Sequence, residues 1–139
     1  MTAKISRNPL QAIKAVVFTI AGLCVMTGAV FEGVSTRRFL KQAASAPGEV
    51  TQLRAGGSHP EVRFTTAKGE VVEYPQNGMI SGYRVGDKVE VLYDPQNPAL
   101  DPVIKSWGAL WGFCVMTFGM GAVFVGVAQI IWRYPGWNR

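Results

Sequence analysis

Two long apolar runs, one near each end of the chain, limit what this sequence can fold into. The second run is the stronger. It extends from Ser106 to Trp132 without a charge, more than the ~20 residues a membrane crossing requires. The first, Ala15 to Phe31, contains neither charge nor proline. At ~1.5 Å per residue it falls slightly short of a ~30 Å hydrocarbon core. Extending it to Ala12 and Val34 completes a span. Lys14 then snorkels its amine to the headgroups. A soluble helix of this length normally carries a polar face, and neither run shows one.

A cleaved leader is the rival reading of the first run. Ala44-Ser45-Ala46 is small enough for a cleavage site, but Arg37, Arg38 and Lys41 intervene and the apolar core is too long. Retention is expected. The two cysteines, Cys24 and Cys114, both lie inside the apolar runs. They read as small hydrophobes rather than disulfide partners or metal ligands.

The pattern therefore predicts an α+β membrane protein in which two transmembrane helices bracket a small antiparallel β barrel-like domain. The expected segments are a basic N-terminal stretch (1–11), a first transmembrane helix (12–34), a linker (35–47), a β-rich extramembrane domain (48–105), a second transmembrane helix (106–132) and a tail (133–139). Aromatic rings with a polar tip favour the headgroup level. Trp107 and Trp111 at one end of the second run, with Trp132, Tyr134 and Trp137 at the other, are the predicted membrane-interface residues. Small residues let helices approach closely in lipid. Gly108-x-x-x-Gly112 and Gly121 are the candidate helix–helix contacts, and a homo-oligomer is left open.

The middle of the chain changes period from helical to alternating. Glu49–Arg54, Glu61–Thr66, Val71–Tyr74, Lys88–Tyr93 and Val103–Ile104 read as short strands. Gly56-Gly57-Ser58, Ala67-Lys68-Gly69-Glu70 and Asn77-Gly78 supply the breaks. Val62 with Phe64, and Val89 with Val91 and Tyr93, fall on buried faces. Short strands with turns at such intervals suggest a small barrel or a strongly curled sheet.

Within this segment, Pro60-Glu61-Val62-Arg63-Phe64-Thr65-Thr66-Ala67-Lys68-Gly69 is followed by Gly82-Tyr83-Arg84-Val85-Gly86-Asp87-Lys88-Val89-Glu90-Val91-Leu92-Tyr93-Asp94-Pro95 and Asn97-Pro98. From Gly48 to Ile104 the chain resembles the bacterial domain-of-unknown-function family 3592. The resemblance implies a bacterial membrane protein with a β-rich domain between helices. It brings no activity, ligand or catalytic residue.

The residues themselves offer no catalytic constellation. His59 is the only histidine, and Ser58 beside it points the other way in an extended segment. Asp94, Asn97 and Asp101 resemble oxygen ligands for calcium, but Pro95, Pro98 and Pro102 favour rigid turns capped by those side chains. No metal and no cofactor is expected. The net charge of +5 lacks a basic stripe interleaved with stacking aromatics, so nucleic acid is not an expected partner. Transport by two spans without a mid-depth charge would need a higher oligomer.

The reading is a non-catalytic, membrane-anchored interaction or accessory module of the bacterial cell envelope. Its partners are the lipid bilayer and another membrane or envelope protein. The alternative is a membrane-bound hydrolase with an unrecognised site in the β domain. Lys4, Arg7 and Lys14 with Arg133 and Arg139 narrowly outweigh Arg37, Arg38, Lys41 and Lys105. By the positive-inside rule the termini face the cytoplasm and the β domain faces outward from the inner membrane. A cysteine introduced at Ser58 is expected to react with an impermeant thiol reagent on intact spheroplasts; labelling only after lysis reverses this orientation.

Overall fold

The computed structural model describes residues 9–54, 59–78 and 80–134. The element order is α1 (Pro9–Gln42), β1 (Ala44–Arg54), β2 (His59–Thr65), β3 (Val71–Pro75), β4 (Lys88–Tyr93), β5 (Val103–Ile104) and α2 (Trp107–Arg133). The chain forms two compact units. One comprises Met1–Glu32 with Cys114–Arg139, and the other Gly33–Phe113. The expected turn at Gly56-Gly57-Ser58 and the chain beyond Tyr134 lie outside the described residues.

The first unit is a pair of helices held along a seam of small residues. On α1 the buried positions are Ala15, Gly22 and Ala29. On α2, Gly121 and Ala128 are buried and Cys114 is half-buried. Both sets repeat every seven residues, the spacing that keeps one face of a helix against a partner. The two middle glycines meet. A Cβ on Gly22 would stand 2.7 Å from the Gly121 carbonyl oxygen, and one on Gly121 would stand 2.8 Å from the Gly22 oxygen. Where Ala29 faces α2, the Cys114 thiol donates to its carbonyl oxygen at 3.1 Å. Phe18 meets Phe124 edge-on with centroids 5.9 Å apart. Cys24 and Cys114 are free thiols.

The second unit is built on an antiparallel five-stranded sheet of order β3-β2-β1-β4-β5. Residues 35–47, expected as a linker, continue α1 to Gln42 and enter β1 at Ala44. The local sequence Ala44-Ser45-Ala46-Pro47-Gly48 has poor strand propensity. Pairing with β4, from Ala44 opposite Tyr93 to Glu49 opposite Lys88, overrides it. The far half of β1, from Gly48 to Arg54, pairs with β2. Only Gly48 and Glu49 have strand partners on both sides. β1 changes partner strand there. A Cβ on Gly48 would lie 2.8 Å from Val91 Cγ2 and 3.2 Å from the Arg63 carbonyl oxygen, so a hydrogen is all that fits. An irregularity between Val50 and Gln52 adds to the curl. Beyond β4, the Val50 N–H donates to Asp87 O and the Gly86 N–H to Val50 O.

The curled face encloses one core of Val50, Val62, Phe64, Val72, Tyr74, Val91, Tyr93 and Ile104, joined by Ala46 and Ile80. Phe64 packs against both tyrosines, with centroids 6.0 Å from Tyr74 and 5.2 Å from Tyr93. The expected barrel is a half-barrel: among the described residues no backbone pairing joins β3 to β5. A side chain bridges the gap. Gln76, buried just after β3, accepts the Ile104 N–H of β5 on Oε1 at 2.6 Å. The Tyr74 hydroxyl donates to the same oxygen at 3.2 Å. Positive φ angles at Gly69 (83°) and Gly78 (109°) sit at the expected breaks, and Gly86 (93°) turns the chain into β4.

Two substitutions test these packing points. Gly48→Ala and Gly121→Ala each force a methyl into occupied space and are expected to cost about 1–3 kcal/mol. Gly28→Ala on the open face of α1, where nothing lies within 4 Å, is expected to be neutral or stabilising through helix propensity. Denaturant unfolding in mild detergent checks the ranking.

Candidate interaction surface

The outward face of the half-barrel carries the sheet's charge. Strand alternation sends Glu49, Arg63, Glu73 and Lys88 away from the core. Register then aligns them, because Lys88 lies opposite Glu49, Glu49 opposite Arg63, and Arg63 opposite Glu73. The result is one row across four strands in which the charge alternates in sign. Arg63 meets Glu73 at 3.1 Å, and Lys88 is bonded to Glu49. The Thr51 hydroxyl donates to Glu73 at 2.9 Å from the irregular position in β1. Flanking pairs join Arg54 to Glu61 at 3.1 Å and Lys105 to Glu90 at 2.9 Å. Glu49, Thr51, Arg63 and Lys88 line a shallow groove of about 290 Å³.

The carboxylates respond to these partners. The Lys88 hydrogen bond and charge hold Glu49 below the ordinary range, with Arg63 adding to the effect. Hydrogen bonds from Thr51 and Arg63 lower Glu73, and one from Lys105 lowers Glu90. Burial raises the Tyr74 phenol well above its ordinary value, with Tyr83 adding to the shift. Tyr74 therefore remains a neutral donor to Gln76.

A second concavity, about 500 Å³, opens beside the Gln76 bridge. Tyr74, Gln76, Asn77, Asp101, Ala109 and Phe113 line it. Asp101 adopts a φ of 50° there, a left-handed conformation that aspartate tolerates better than most residues. Asp94 does not join it as a ligand pair. Its Oδ1 accepts the Gln96 N–H at 2.9 Å, which makes a capped turn.

The residues singled out from sequence fall as follows. Trp107 is exposed at the start of α2, Trp111 is half-buried, and Trp132 and Tyr134 are exposed at its other end. Trp137 lies outside the described residues. Gly112 is buried and Gly108 half-buried within the second unit, while Gly121 packs on Gly22 in the first. His59 opposes Arg54 at the end of β1, and Ser58 beside it lies outside the described residues. Sequence reasoning missed Gln76, for which no local signal exists. It missed the charge row, which needs strand register to be seen. It singled out Gly121 but missed the seven-residue spacing that joins it to Cys114 and Ala128 and that places Ala15, Gly22 and Ala29 on the facing helix.

Comparison with known proteins adds the lineage. Residues 46–106 match the family model described as "Domain of unknown function (DUF3592)". A Pseudomonas aeruginosa protein named "Immune protein Tsi4" is 42% identical over 112 residues, covering 81% of this chain and 77% of the relative. The chain belongs to the DUF3592 family. No solved structure matches it at a significant level. The DUF3592 match covers the whole sheet apart from the first residues of β1. The similarity to the relative reaches well beyond that segment, because it covers more residues than the sheet contains.

The charge row predicts an acid-sensitive β unit. A carboxylate held below its unfolded value stabilises the fold above that value and loses the contribution as pH falls through the folded one. The unfolding temperature is therefore expected to drop as pH falls below the ordinary carboxylate value of 4.5. Exposed pairs are screened, so added salt should weaken the dependence. Arg63→Gln should flatten it, and thermal unfolding followed by circular dichroism at several pH values is the measurement.

Proposed function

We propose that this DUF3592 protein is a non-enzymatic immunity protein, anchored in a bacterial inner membrane, whose β unit binds a toxin and so protects the cell that makes it. The relative named an immune protein, alike over most of both chains, is the observation that carries this reading. Immunity by binding needs a shaped surface rather than a reactive group. The charged sheet face supports that role, because its paired side chains stand in a fixed register that a partner can match.

Membrane anchoring rests on the helices. Both are long and apolar enough to cross a bilayer, and only 17% and 11% of their most apolar windows are buried. A core helix of a soluble protein would be mostly covered. Here Phe31, Val123 and Phe113 stay exposed, an apolar surface that water does not tolerate on this scale. Trp111 and Trp132 lie 21 positions apart on α2, or ~32 Å along the axis, close to the ~30 Å hydrocarbon thickness. That spacing suits the aromatic belt read from the sequence. With cytoplasmic termini the β unit would meet its partner on the outer side of the inner membrane.

The test is protection. A strain lacking this chain, mixed in contact with its parent, is expected to lose viability. The full chain should restore it, and a chain carrying Arg63→Glu with Lys88→Glu should restore it less while remaining membrane-inserted. A deletion strain as fit as its parent in the mixture would contradict the immunity reading. Full protection by the charge-reversed chain would move the binding surface elsewhere.

A further inference from the structure

One face of α1 changes character along its length. Ile20, Leu23, Val30 and Val34 are exposed on it, and at 3.6 residues per turn they fall on one stripe. The same stripe continues through Arg37, Arg38 and Lys41, all exposed. It is distinct from the seam of Ala15, Gly22 and Ala29 that packs on α2. The exposed track is therefore uncharged up to Val34, with Thr27 its polar member and its hydroxyl bonded back to the Leu23 carbonyl oxygen, and basic from Arg37 to Lys41.

The three cations are uncommitted. Among the described residues none of them has an ion pair or hydrogen bond, whereas Arg54, Arg63, Lys88 and Lys105 on the sheet are each paired with a glutamate. The stretch after α1, residues 43–106, holds six basic residues against eight acidic ones. The basic cluster therefore belongs to the helix and not to the sheet.

The spacing fits a bilayer edge. Arg37 rises ~4.5 Å and Lys41 ~10 Å beyond Val34 along the helix. The headgroup layer on each side is ~5–7 Å thick, and long basic side chains adjust their tips within it. We propose that the last two turns of α1 form a clamp for anionic lipid headgroups, with Arg37, Arg38 and Lys41 gathering phosphate oxygens where the acyl-facing stripe ends. The clamp rests on the membrane reading above. Acting together, three such cations give an upper bound on the order of a hundredfold preference for anionic over zwitterionic lipid.

The full chain is reconstituted in nanodiscs of phosphatidylcholine with a minority of phosphatidylglycerol, and retained lipids are counted by native mass spectrometry. Phosphatidylglycerol is expected well above its bulk share. The Arg37→Gln, Arg38→Gln, Lys41→Gln triple variant should fall to the bulk share, and Lys88→Gln on the sheet should keep the enrichment. Millimolar inorganic phosphate should leave the enrichment intact. Equal enrichment in the triple variant, equal loss in Lys88→Gln, or displacement by inorganic phosphate would each overturn the clamp. A chain that stays embedded but holds phosphatidylglycerol at its bulk share removes the clamp alone. A folded chain that floats free of lipid on a density gradient removes the membrane reading with it.

Discussion

The β unit depends on a missing side chain. Gly48 sits where β1 leaves one partner strand and takes up the other. Val91 and the Arg63 carbonyl occupy the space a Cβ would need. Because β1 can pass that close, the sheet turns on itself and a unit of modest size encloses a continuous core. Small sheets with two free edges bury little surface when flat. The same curl brings β3 and β5 near enough for the Gln76 side chain to substitute for a ladder hydrogen bond. A buried amide is costly unless its groups are paired, and Gln76 has partners on its backbone N–H, its Oε1 and its side-chain nitrogen.

The helix pair solves a different problem with similar means. On the proposed reading the two helices lie in lipid, where they would gain little from hydrophobic burial and would have to associate by close contact. Ala15, Gly22 and Ala29 on one helix and Cys114, Gly121 and Ala128 on the other remove the bulk that would hold the axes apart. The pairing runs antiparallel, with Gly22 against Gly121 and Ala29 against Cys114. Methionine fills what remains, with Met26 packed beside Gly121. Its unbranched thioether adapts to such gaps.

Much of this was legible in the residues, for identifiable reasons. The apolar runs are long enough to be read by length alone. β4 alternates cleanly and is bounded by Gly86-Asp87 and Asp94-Pro95, so its ends coincide with the expectation. β1 was legible only in its second half. Its first five residues carry no strand signal and acquire their conformation from β4. Long-range pairing of this kind leaves no local trace. The charge row was invisible for the same reason, since each member looks like an ordinary outward residue until register places it beside its neighbours. The glycine motif at Gly108 and Gly112 drew attention by its four-residue spacing, whereas the seam on α1 and α2 follows a seven-residue period.

The charges of the molecule then divide by location. On the sheet, Glu49, Glu61, Glu73 and Glu90 each hold a cation, and the face is locally neutral. Such a face exerts a weak long-range field and discriminates at short range, where a partner must match the register of existing pairs or displace them. At the end of α1 the cations have no acidic partner among the described residues, which suits a diffuse anionic surface that needs attraction rather than shape. A neutral, patterned face and a basic, unpatterned helix end make opposite demands on a partner. Their separation in one short chain would let the proposed clamp bind a lipid surface without competing for the glutamates that give the sheet its pattern.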